Sequence, residues 1–274
     1  MAKKADVEAV VTAVKQSKKY GDTSEGTIRE LAEEAVRQHK KTKAAVKAVR
    51  AKLHSIMAPY LGDPDYDVEA ERLTAAFAAG DEAQIRAICE DCLNAHLSTR
   101  ERMPIVTDFY ERIFAVTGTP DSIMDIACAL NPLALRWMNL RSTQHALRFY
   151  AYDIHEPRID FINHYFQLEG LDPLAKVQDV AMNFPREEAD VALFLKEMPR
   201  FERNYHGKGR PLLEALNVNY IVLSYPSIST HGGRNLTDRY REFMVQLIDG
   251  HDWPVTELLF EGELVCIVNK GAGD

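Results

Sequence analysis

Residues 121–132 read DSIMDIACALNP. Ile123, Met124 and Ile126 form a short apolar run, the pattern of a buried strand. The chain then passes through Ala127-Cys128-Ala129 and stops at Asn131-Pro132. Small residues at the carboxyl end of such a strand let a ligand approach the backbone, and a helix starting there would aim its N-terminal amides at that ligand. The glycines of a strict GxGxxG are missing, and many α/β loops are built of small residues, so the flanking sequence has to decide.

Downstream the pattern alternates. Strands are expected at 122–127, 148–152, 175–178, 190–195, 219–224, 256–260 and 263–269, with helical stretches separating the first five at spacings suited to parallel crossovers. The last two meet at Glu261-Gly262, a tight hairpin. Five parallel strands closed by an antiparallel hairpin is the order of a class I, Rossmann-like methyltransferase sheet. A dinucleotide-binding domain more often continues with another parallel unit. The hairpin therefore favours S-adenosyl-L-methionine over NAD.

Upstream, residues 1–116 read as helical throughout. Apolar positions recur at Val7, Val10, Val11 and Val14, and Thr27 with Glu30 three residues on is a candidate capping box for a helix through Leu31, Ala35 and Val36. A helix over 43–57 sets Val46, Val49, Leu53 and Ile56 on one side and Lys43, Lys47, Arg50 and Lys52 on the other. Gly62-Asp63-Pro64-Asp65 interrupts, helices follow near 67–79, 81–95 and 104–116, and Gly118-Thr119-Pro120 opens the alternating region. The expected division is a helical domain over 1–116 and an α/β domain over 117–274.

Charge follows the same division. Residues 1–59 carry 13 Lys+Arg against 7 Asp+Glu, a net of +6, and the remainder carries 20 against 34, a net of −14, within a total of −8. A basic segment on an acidic body suits a polyanionic partner, with a solvated helical surface as the alternative. With 274 residues and 46% hydrophobic composition, a sizeable core is within reach. No run of about 18 apolar residues is present, and MAKKADVEAV lacks the apolar core of a signal peptide. Four cysteines do not make a disulfide framework, so a reducing, cytoplasmic setting is expected. Nothing points to oligomerisation, and a monomer is expected.

Several residues can carry chemistry. Asp153 follows the second strand, where an acid accepts hydrogen bonds from ribose hydroxyls, although an exposed acid beginning a helix in DIHEPR is an equal reading. Gln178-Asp179-Val180 follows the third strand, placed to read an adenine edge. In HLSTRER (96–102), an arginine can fork onto a carboxylate such as the methionyl end of the cofactor, or Ser98 or Thr99 can simply cap a helix. Lys196 ends the fourth strand, where ligands bind. Cys89, Cys92 and His96 have metal-like spacing but lack the second pair that a structural zinc site needs, and no metal is expected. No Ser-His-Asp or HExxH pattern occurs, and Gly-Lys-Gly at 207–209 lacks P-loop flanks.

Taken together, SKKY (17–20), LHSIMAPYL (53–61), HLSTRER (96–102), DIACALNPLAL (125–135), YDIH (152–155), QDV (178–180), LFLKEMPRFE (193–202) and SYPS (224–227) resemble the aminoglycoside-resistance 16S rRNA (guanine(1405)-N(7))-methyltransferases of actinomycete producers and resistant pathogens. The resemblance covers most of the chain. It implies a helical rRNA-docking region ahead of the methyltransferase domain, and 16S rRNA in the assembled 30S subunit as partner. Carried over by motif, the cofactor pocket involves Tyr60, His96, Leu97, Ser98, Arg102, Ala127, Asp153, Asp179, Val180, Leu195 and Asn204. Lys196 and Glu202 match positions important for activity, and Lys18, Lys19, Arg50, Lys52 and Arg234 face rRNA.

Three departures stand out: Ala129 where the family usually has glycine, Ile228 where it has a basic residue, and Asn235-Leu236-Thr237 after Gly232-Gly233-Arg234 where it has Gly-Lys-Gly-Met. They keep two alternatives open: methylation at another RNA position, or cofactor and RNA binding without turnover.

Overall fold

A computed structural model describes residues 6–58, 62–140, 147–229 and 233–271. At its centre is a seven-stranded sheet: β1 (Ser122–Ile126), β2 (Arg148–Asp153), β3 (Ala175–Val177), β4 (Glu188–Leu195), β5 (Asn217–Pro226), β6 (Val255–Phe260) and β7 (Glu263–Asn269). The strand order is β3-β2-β1-β4-β5-β7-β6. The first five strands are parallel, while β7 inserts antiparallel between β5 and β6. The hairpin expected at Glu261-Gly262 is present, with Phe260 paired to Glu263 and Gly262 at φ +77°. Between β1 and β4 the strand order reverses, which opens a crevice at the carboxyl ends of the strands.

Alternation along each strand divides the core in two. Ile123, Phe149, Val191, Leu193 and Val222 pack on one face, beneath α4 (Tyr66–Ala79), α5 (Glu82–Ala95), α7 (Val106–Thr117) and α8 (Glu156–Leu168). Met124, Ile126, Ala192, Phe194 and Leu223 pack on the other, beneath α9 (Met198–Asn204), α10 (Gly209–Ala215) and α11 (Thr237–Ile248). Asp65 and Asp81 cap α4 and α5 by accepting from Val68 N and Gln84 N. α6 (Leu97–Arg102) is a short helix between α5 and α7.

The helical region is of two kinds. α1 (Val7–Lys15), α2 (Glu25–Gln38) and α3 (Thr42–Met57) form a bundle with its own core of Val10, Val14, Ile28, Leu53 and neighbours. By contrast α4, α5 and α7 share their core with the sheet. The bundle is tied to the tip of β2 by backbone hydrogen bonds from Ser24 N to Ile154 O (2.7 Å) and from Glu156 N to Asp22 O (2.9 Å), and by an ion pair between Lys15 and Glu156 (3.2 Å).

Local expectations change at four places. α2 begins at Glu25 with Ser24 as its cap, and Thr27 is buried inside it, so the box at Thr27 does not form. β3 runs into β4 through turns at 178–187 with no helix. The helix after β1 is a 3₁₀ turn, Asn131–Trp137, with Pro132 in its first turn and no long row of aligned amides. His96 is the cap residue of α6, while Thr99 donates its hydroxyl to the carbonyls of Leu93 and His96.

Candidate cofactor and acceptor site

Three depressions lie along the carboxyl edge of the sheet. The first, at the tips of β2 and β3, is a narrow cleft with a mainly apolar lining. Ala127, Asp153, Asp179 and Val180 line its floor, Phe201, Asn204 and Tyr205 of α9 one wall, and Ile56 and Met57 of α3 the other. The basic bundle therefore closes the cleft from the side.

Asp153 is the last residue of β2, and its carboxylate is held from three directions. Arg158 Nη1 lies 3.0 Å from each oxygen, Ala129 N donates to Oδ2 (3.1 Å) and His155 N donates to Oδ1 (2.9 Å). Arg158 is buried in α8, and its Nη2 also donates to Asp63 (2.8 Å). Burial pushes the Asp63 carboxyl up, but His96 Nε2 at 2.8 Å and the Arg158 charge outweigh it and hold the group well below the usual range. His96 is thus a buried partner of Asp63 and does not line the cleft. Asp179 accepts from Ala181 N (2.9 Å) and Tyr205 Oη (3.2 Å), with its carboxyl pushed up by burial.

The second depression lies between α6 and the loop after β1, lined by Ser98, Arg102, Ala127, Ala129, Asn131 and Leu195. Ala127 and Ala129 have φ +51° and +47°. Two left-handed alanines in three residues concentrate backbone strain at this loop. Arg102 is buried, with Nε and Nη2 donating to Glu263 Oε1 (3.3 and 2.9 Å) and Nη1 to Asn131 Oδ1 (3.2 Å). Its fork is made with a carboxylate of the protein's own β7. Asn131 in turn donates to Asp125 (2.7 Å).

The third depression lies beyond the ends of β4 and β5 and is lined by Glu101, Pro104, Ile105, Lys196, Pro226, Ile228 and the Glu261-Gly262 turn. Lys196 directly follows β4 at φ +58°, and its ammonium lies 3.0 Å from Glu101 and 3.1 Å from Glu263. Leu195 and Lys196 are neighbours facing the second and third depressions, so the row is continuous.

Other expected site residues lie elsewhere. Tyr60 is outside the described residues. Leu97 is exposed and lines none of the three depressions. Glu202 lines none of the three: it accepts from Gly207 N (2.5 Å) and Gly209 N (2.9 Å), holding the α9–α10 loop. Lys52 is half-buried against the cleft wall. It donates to the Asn204 carbonyl and lies 5.3 Å over the Tyr205 ring, while Ser55 donates to Asn204 Oδ1 (2.9 Å). Lys18, Lys19, Arg50 and Arg234 are exposed.

Cys89 and Cys92 lie in the core, with the Cys89 thiol pushed up to about 12 by burial, and no metal-holding cluster occurs among the described residues. No described helix is long and apolar enough to cross a membrane. Sequence reading missed Arg158, Asp63, Asn131 and Glu263. Arg158, five residues after Asp153 in DIHEPR, was the one with a local clue.

Residues 16–267 match the ribosomal RNA methyltransferase (FmrO) family. The chain belongs to that family. It is similar to the 16S rRNA (guanine(1405)-N(7))-methyltransferase of Frankia casuarinae, with 31% identity over 96% of this chain and 94% of the relative. The enzyme of that name from Serratia marcescens is 32% identical over 86% of this chain and 87% of its own length. Among solved structures, the 16S rRNA methyltransferase RmtF in complex with S-adenosyl-L-homocysteine superposes with a TM-score of 0.80, at 27% identity, over 96% of this chain and 97% of its own. The 16S rRNA methylase RmtB gives 0.78 at 28% identity over 97% and 99%. The sheet order and hairpin are those of the class I methyltransferase fold expected from the strand pattern.

The family's cofactor class fits these residues. The first cleft offers a fixed anionic acceptor at Asp153 for ribose hydroxyls, Asp179 and the Val180 backbone for a base edge, and an apolar wall from Met57 and Phe201.

Proposed function

We propose that this protein transfers the methyl group of S-adenosyl-L-methionine to N7 of guanine 1405 of 16S rRNA in the assembled 30S subunit, acts as a monomer in the cytoplasm, and confers aminoglycoside resistance. The observation that carries the reading is the unbroken row of depressions from Asp153 to Lys196. It sets the cleft at Asp153 and Asp179 beside a second cavity across the tips of β1 and β4. Curated relatives of the chain carry this activity in their names.

Bound in the first two depressions, the cofactor supplies an electrophilic methyl group on a sulfonium. Guanine N7 has a lone pair and no proton, so no side chain has to act as general base. The chain's task is positioning. Asp153 holds the ribose, Asp179 and Val180 the adenine, and Ser98 and Arg102 lie beside the amino-acid end. Leu195 separates that end from the acceptor, and Lys196 borders the flipped base. Exposed Lys18, Lys19, Arg50 and Arg234 meet phosphates, a contribution that weakens steeply with salt.

Expression in a susceptible bacterium, followed by mapping of N7-methylguanine on its 30S subunits, tests the reading. Methylation at position 1405 is expected. An unmodified guanine beside folded, cofactor-binding protein rejects it. One observation favours a different RNA target: Ile228, half-exposed on the rim of the third depression, stands where the family carries a basic residue. Transcriptome-wide mapping of methylated sites separates the two.

A further inference from the structure

We infer that Glu101 is a catalytic carboxylate of this enzyme: it borders the acceptor base and stabilises the positive charge that reaches it during transfer. The inference rests on N7 methylation as the reaction. The N7 lone pair forms the new N–C bond, and the electrons of the broken C–S bond return to sulfur. No proton leaves, and the charge that began on sulfur ends on the imidazole ring of the base. A site for that event gains from negative charge on the acceptor side.

The third depression has that charge. Glu101 and Glu261 line it against a single ammonium, Lys196. The Lys196 side chain is only 8% exposed and is already paired with Glu101 and with buried Glu263. A phosphate entering the cavity would meet two carboxylates and a cation already neutralised, so the cavity disfavours backbone and suits a base. Glu263 is shared with Arg102, which fixes Lys196 to the wall of the cofactor site. Glu101 is different: its side chain is 40% exposed, at the start of the path into the cavity, and free to turn between Lys196 and an entering base. A carboxylate there also accepts from the N1–H and N2–H₂ edge of guanine, which adenine lacks.

The test compares wild type, Glu101→Gln and Glu101→Asp on 30S subunits. Glu101→Gln should lower kcat at least about tenfold, by analogy with removal of one stabilising group in other enzymes. Its affinity for 30S, measured by filter binding with S-adenosylhomocysteine present, should stay equal or tighten, since a negative charge facing a polyanion is gone. Glu101→Asp keeps the charge and should recover most of the rate. An unchanged kcat, or a loss confined to 30S affinity, overturns the assignment, as does equal impairment by Gln and Asp. S-adenosylhomocysteine affinity equal to wild type controls for folding. Wild-type protein that leaves guanine N7 unmodified would instead sink the proposed function itself, a different outcome from any of these.

Discussion

Arg158 Nη1 lies 3.0 Å from both carboxylate oxygens of Asp153, and the guanidinium is shared with Asp63 at 2.8 Å. One buried cation thus joins the acid at the tip of β2 to the loop between α3 and α4. Arg158→Gln leaves two carboxylates facing each other without their cation. Breaking a buried pair in this way costs about 3–5 kcal/mol. The expected outcome is a clear drop in the urea midpoint and S-adenosylhomocysteine affinity weakened at least about tenfold by calorimetry, the latter equal to about 1.4 kcal/mol. Asp63→Asn should weaken affinity less, because Asp153 keeps its partner. Unchanged affinity in Arg158→Gln would remove it from the site.

Ala129 holds a left-handed φ of +47° while its N–H donates to Asp153. Glycine adopts that conformation without the roughly 1–2 kcal/mol penalty of a Cβ, less what it loses through a more flexible unfolded chain. Ala129→Gly should therefore raise stability by about 0.5–1 kcal/mol in chemical denaturation, with cofactor affinity retained. The alanine adds strain to the loop without preventing its hydrogen bond, so the departure from the family's glycine does not by itself argue against cofactor binding.

Burial pushes the Asp125 carboxyl up to about 8, against the partial relief of its hydrogen bond from Asn131 and the Arg102 charge. The folded protein keeps this proton to about pH 8, whereas the unfolded chain releases it near pH 4. The unfolded state therefore holds fewer protons in between, and stability falls as pH rises from about 4 to 8, by as much as about 1.4 kcal/mol per unit. Asp125→Asn can still accept from Asn131 and has no proton to lose. Urea titrations at pH 5 and pH 8 should show a smaller decline for Asp125→Asn than for wild type. Parallel declines would mean that Asp125 is ionised in the folded state.

Two sets of cations on α3 should separate. Lys43, Lys47 and Arg50 are exposed, and reversing all three charges should weaken 30S binding by more than about tenfold while sparing cofactor affinity. Lys52 is packed on Asn204 and Tyr205, so Lys52→Ala should weaken cofactor affinity through the loosened wall. Filter binding and calorimetry read the two effects. Equal effects of both changes on both ligands would reject the separation.

The sequence by itself determined the seven strands, the closing hairpin, the basic bundle and the acids at the ends of β2 and β3. Short apolar runs, the Glu261-Gly262 turn and the spacing of helical apolar residues are local properties, readable a few residues at a time. Only the tertiary structure decided where the charges go. Arg102 and Glu263 are 161 positions apart, and Lys52 and Asn204 are 152 apart. Arg102, expected to bind a ligand carboxylate, found one on β7, and Glu202, expected at the chemistry, spends its oxygens on two glycine amides. A buried charge must take whatever partner packing brings within about 3 Å, and that choice is made by contacts between distant segments that no local pattern encodes.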